Sequence, residues 1–119
     1  MMGKPSNGAE GIPDGHFKPT EAMASAARHG LKLRAKFGRG GTGVGVARAN
    51  QLAAREPCTP RDVKSMHSYF ARHEVDKQVT RREWGSDSNP SAGYIAWLLW
   101  GGDAGKEWAD RNAAKLREK

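Results

Sequence analysis

The sequence is poor in cysteine. Cys58 is the only one, so no internal disulfide can staple the chain, and a reducing compartment suits it. A lone thiol in a loop is read as inert. Long apolar runs are almost missing. The mean hydropathy is −0.77, no apolar stretch follows Met1, so a secretory signal is not expected, and no run is long enough to span a bilayer. Acidic residues are missing from one region altogether. Between Ala22 and Arg55 there are seven cations (Arg28, Lys32, Arg34, Lys36, Arg39, Arg48 and Arg55) and no Asp or Glu. The rest of the chain balances its charges, so this segment supplies the whole net charge of +7.

What is present is 119 residues, enough for one domain with a modest core. The Gly- and Pro-rich residues 1–19 read as a flexible N-terminal arm, which leaves 20–119 as a single helical domain. One stretch, Asn89–Gly102 (NPSAGYIAWLLWGG), organises it. Asn89-Pro90 suits an N-cap followed by the first helical position, and Gly101-Gly102 is a usual exit. Ile95 and Leu99 share a face that Tyr94, Trp97 and Trp100 widen nearly all round. A helix apolar on most sides is normally buried, so this is the expected central helix.

Four further helices are expected around it. The first runs from Thr20, a cap, to about Lys36, with Gly30 as a weak point. A competing strand pattern covers Leu31–Phe37, where apolar residues alternate with Lys32, Arg34 and Lys36. No partner strand exists elsewhere, so helix is favoured. The second covers Val44–Arg55 and ends at Glu56-Pro57. The third opens at Thr59-Pro60-Arg61-Asp62, which carries a capping-box signature. Its buried stripe is Val63, Met66, His67 and Phe70, and it is expected to end at His73 or Glu74. A polar loop follows over Gln78–Ser88 and contains Trp84. The last helix is capped by Asp103, contains Trp108 and reaches about Leu116. The fold class is therefore all-α, a compact bundle of four to five short helices. Its core is expected to hold Phe70, Tyr94, Ile95 and Leu99, with Trp84, Trp97, Trp100 and Trp108 as one aromatic cluster.

The motifs that carry chemistry elsewhere are weak in this chain. Gly38–Gly45 (GRGGTGVG) contains G-x-G-x-x-G, but no buried strand precedes it and no βαβ units follow. The simpler reading is a mobile turn. An intermediate one is a loop whose N–H groups, with Arg39, meet phosphate oxygens. The Arg55–Thr59 spacing is that of a helix-turn-helix, but it is common in any bundle. His67 and His73 are six residues apart and do not share a helix face, so no metal site is expected. Glu74 and Asp76 form a conceivable acid–base pair. No nucleophile accompanies them, and a salt-bridged turn is the simpler role. No catalytic residue and no cofactor are expected.

Three stretches occur in an order that resembles a known module: RGGTGVGVARANQL (Arg39–Leu52), TPRDVKSMHSYFARHEVDK (Thr59–Lys77) and NPSAGYIAWLLWGGDAGKEWA (Asn89–Ala109). Together they resemble a small module of tailed bacteriophages that is also found attached to head-region and protease-like proteins. The likeness covers roughly residues 20–110. It implies a stand-alone viral protein, placed in the virion or in the infected bacterial cytoplasm, and it carries over no catalytic residue. The expected function is then a virion-associated or structural one. A basic segment (Arg28, Lys32, Arg34, Lys36, Arg39, Arg48) would bind nucleic acid non-specifically or an acidic surface of a phage capsid protein. The alternative is a phage-encoded inhibitor or regulator of a host protein. No membrane partner is expected.

Overall fold

The computed structural model describes residues 17–79 and 84–117, with side chains in the third helix described as far as Val75. The expected arm is described only from Phe17 onward. Among the described residues there are five helices and no strand: α1 (Glu21–Phe37), α2 (Gly43–Ala53), α3 (Pro60–Val79), α4 (Ala92–Leu99) and α5 (Gly102–Arg117). The all-α bundle is the architecture, and α4 is its hub, since α4 alone touches all four other helices.

The helix starts follow local chemistry. Thr20 Oγ1 accepts the Met23 N–H at 3.2 Å, and the Met23 sulfur accepts the Thr20 N–H at 3.4 Å, so a thioether completes the α1 capping box. At α3, Asp62 N–H donates to Thr59 Oγ1 at 3.0 Å while Asp62 Oδ2 accepts the Thr59 N–H at 2.9 Å, as its TPRD string predicts. The cap of α4 is not Asn89. Ser91 Oγ accepts the Tyr94 N–H at 3.1 Å, and Pro90 lies buried before the helix. Asp103 likewise lies inside α5, one residue beyond its start, and its carboxylate accepts Trp97 Nε1–H at 2.9 Å. The α3 helix runs five residues past Glu74, to Val79, because nothing in that segment breaks a helix.

Gly30 does not break α1. A Cβ there would lie 2.9 Å from Leu98 Cβ and from the Leu99 backbone nitrogen. This is where α1 and α4 cross closely, and only a glycine leaves the room. The same helix settles the strand alternative: Leu33 is buried while Leu31 and Phe37 lie half-buried on either side. The Gly-rich turn packs against α4 at its middle. Gly40 and Gly41 have φ of 97° and 79°, and each would drive a Cβ to within 2.6 Å of the Ile95 or Leu99 side chain. The turn is pressed onto α4. With no strand ahead of it, a dinucleotide site has no frame.

The core is the expected one with two corrections. Trp97 packs edge-on to Phe70 at 4.8 Å and to Trp84 at 5.5 Å, and Trp84 meets Tyr94 at 5.4 Å. Ile95 and Leu99 are fully buried. Trp108, however, has no ring partner among the described residues. It is buried against the start of the domain, where its Nε1–H donates to the Lys18 carbonyl at 3.1 Å. That contact belongs to the second correction, the domain boundary. Phe17 and Pro19 are buried, and Phe17 exchanges backbone hydrogen bonds with Cys58 at 3.1 and 2.8 Å. Residues 17–19, which the sequence places in the arm, are therefore packed against the helices.

Candidate functional site

The acid-free segment does not form one cationic surface. Arg48 leaves it. Its side chain is only 12% exposed, and Nη1 donates to Asp62 Oδ1 at 2.9 Å and to Gln51 Oε1 at 2.6 Å. Burial opposes the charge on Asp62, but the Thr59 N–H and the Arg48 guanidinium outweigh it and hold the carboxyl below its usual range. Arg28 is offset by Glu21, one residue outside the acid-free segment, at 2.6 Å, and it also donates to the Ala53 carbonyl. Arg55 lies past the end of α2 with φ 55° and donates to the Pro19 carbonyl at 2.9 Å.

Four of the expected residues do come together, at the C-terminal end of α1 and in the turn after it. Lys32 is exposed and makes no ion pair among the described residues. Arg34 Nε–H donates to the Gly40 carbonyl at 2.9 Å and holds the turn. Lys36 Nζ and Arg39 Cζ both lie over the half-buried Phe37 ring, 5.3 and 5.5 Å from its centroid. Arg39 also donates to the Pro90 carbonyl at 2.9 Å. These bonds are to carbonyls and a ring, so none of the four charges is cancelled by a carboxylate among the described residues. Part of this grouping is structural, since cations stabilise a helix C-terminus.

Other reactive groups are accounted for. Burial, and then the nearby Asp62 charge, push the Cys58 thiol up to about 12, so it stays protonated. The described residues hold no cluster of three or more His, Cys, Asp or Glu fit for a metal. Asp76 and Lys77 of the ionisable run lie outside the described side chains. Glu74 is half-buried, with one carboxylate oxygen lacking a hydrogen-bond partner. One cluster was not visible in the sequence. His67 is half-exposed rather than in the buried stripe, and its Nδ1 lies 2.8 Å from Asp110 Oδ1, while Lys106 Nζ donates to Asp110 Oδ2 at 2.8 Å. Burial raises the Asp110 pKa, but Lys106 and His67 together overcome it and lower it. No hydroxyl or thiol hydrogen-bonds His67 among the described residues, and the pair ties α3 to α5.

A second feature has a cavity. The backbones of α2 and α3 stay apart, and Arg48 and Gln51 of α2 reach across to Asp62 of α3. Between them, over α4, lies a cleft of about 510 Å³ lined by Gly41, Thr42, Val44, Ser65, Tyr69, Arg72, His73, Ala92, Gly93, Ala96 and Trp100. One wall is a four-layer stack. Arg48 lies over Trp100 at 5.3 Å, Trp100 stacks on Tyr69 at 4.4 Å and 6°, and Tyr69 meets His73 at 4.5 Å. Tyr69 had no part in the sequence argument. Its place one residue before Phe70 gave it no clear face until α4 was positioned.

No protein-family model matches the chain, and neither a curated protein nor a solved structure is significantly similar to it. Among the described residues, no helix is long and apolar enough to cross a membrane.

Proposed function

We propose that this chain is a phage virion-associated structural protein that binds a polyanion through the basic end of α1 and does no chemistry. The polyanion would be packaged DNA or an acidic capsid surface. One observation carries the reading: Lys32, Arg34, Lys36 and Arg39 gather at one helix end and keep charges that no described carboxylate offsets. Phosphate neutralisation there would be independent of base sequence. The reading uses four of the six cations expected from the sequence, because Arg48 is spent on Asp62 and Arg28 on Glu21.

Titrating duplex DNA at several salt concentrations tests it. About three to four neutralised phosphates give a slope of log affinity against log salt near −3. The Lys36→Ala/Arg39→Ala double variant should make that slope shallower by about two. An affinity indifferent to ionic strength overturns the reading. Its viral part is tested separately, by looking for the protein and its copy number in purified particles.

A further inference from the structure

We propose that the cleft between α2, α3 and α4 binds a phosphate monoester carrying a small organic group, with the phosphate on Arg72 and the organic part against Trp100, Tyr69 and Ala96. Its charged residue, Arg72, is distinct from the basic end of α1, and the two share only the turn that carries Gly41 and Thr42. Its volume, about 510 Å³, falls in the range of small-molecule sites and far exceeds what a bare anion fills. The cavity is held open by construction. Arg48 and Gln51 of α2 reach across to Asp62 of α3, so long side chains span the gap, and the small residues Ala92, Gly93 and Ala96 of α4 leave the floor low.

The charge pattern sets the ligand's sign. Among the described residues, no Asp or Glu lines the cleft. Arg72 is exposed at its edge and makes no hydrogen bond or ion pair among the described residues, so its fork of donors is available. Thr42 and Ser65 add hydroxyl donors on the same lining. A guanidinium with hydroxyl donors beside it and no described carboxylate suits a group with several anionic oxygens. Apart from the His73 imidazole and the Tyr69 hydroxyl, the rest of the wall is aliphatic and aromatic, which bare phosphate does not use and an organic ester does. A free mononucleotide and the phosphorylated end of a strand share this chemistry.

The test is an NMR titration of the full chain with adenosine 5′-monophosphate, adenosine and inorganic phosphate. The nucleotide should shift the Gly41, Gly93 and Ala96 amides saturably and bind at least tenfold more tightly than either fragment. Arg72→Ala, an exposed change, should weaken it roughly tenfold or more, whereas Lys32→Ala/Lys36→Ala, at two exposed residues outside the cleft, should leave it unchanged while weakening DNA. Competition by a 5′-phosphorylated oligonucleotide, and not by its 5′-hydroxyl form, assigns a strand end. Its failure assigns the free nucleotide. The site is refuted if those amides do not move, if inorganic phosphate binds as well as the nucleotide, or if Arg72→Ala changes nothing.

Discussion

Arg48 stands where α2, α3 and α4 meet, and it shows how one side chain can change roles on folding. Its guanidinium binds Asp62 and Gln51 and covers Trp100. Removing it strands a carboxylate that is only 23% exposed. Arg48→Ala should therefore cost about 1–3 kcal/mol in denaturant unfolding and leave the salt slope of DNA binding unaltered. A variant that lowers the slope but not the stability would return Arg48 to the polyanion surface. Gly30 is the opposite case, a residue defined by what it omits. Gly30→Ala forces α1 off α4 and should cost about 1–3 kcal/mol, although alanine is the better helix former. Asp62 and Asp110 both titrate below their ordinary 3.8 in the folded protein. Such groups contribute stability that is complete above the unfolded value and is lost as pH falls through the folded values. Thermal stability should drop below about pH 4, and Asp62→Asn should flatten that drop. An acid limb identical to that of the parent protein would show that Asp62 is not responsible.

At the scale of elements, the helix starts are where local chemistry can be checked most cleanly. Ser91 caps α4, while Asn89 meets Ser86 only through its backbone N–H. Ser91→Ala should lower stability by about 1 kcal/mol, and Asn89→Ala should leave the chemical denaturation midpoint nearly unchanged. Equal losses from the two would place the cap at Asn89 instead. The α1 end matters in another way. Its Gly38 cap is left-handed, and the turn that follows is tied down by Arg34, Arg39 and two close glycine contacts. Three of the cations there sit on the last turns of α1 and the fourth, Arg39, on a turn fixed by these contacts.

For the whole molecule, the bundle closes over residues 17–19. Phe17 is 5% exposed and pairs with Cys58, Lys18 accepts from Trp108, and Pro19 accepts from Arg55. These contacts join residues 17–19 to the α2–α3 connection and to α5, elements that are far apart in the chain. Phe17→Ala should cost about 3 kcal/mol, a core-sized loss from a residue that reads as part of an arm. A loss under about 0.5 kcal/mol, the range of surface changes, would put the boundary back at Thr20.

What the sequence determined by itself was local. Five helices, the Thr20 and Thr59 caps and the buried character of Ile95, Trp97 and Leu99 follow from periodicity and capping residues, which act over three or four neighbours. The Pro90-Ser91 offset was within reach of the same rules, since Ser91 is as good a cap as Asn89. Only the tertiary structure decided the rest. It took Arg48 out of the basic set and paired it with Asp62, and it joined His67 to Asp110 across 43 residues of chain. It also set Trp108 apart from the other tryptophans and opened the cleft beside Tyr69 and Arg72. Each of these depends on which helix faces which. A charge count along the chain cannot see that, because the carboxylate that neutralises a cation is chosen by distance in space.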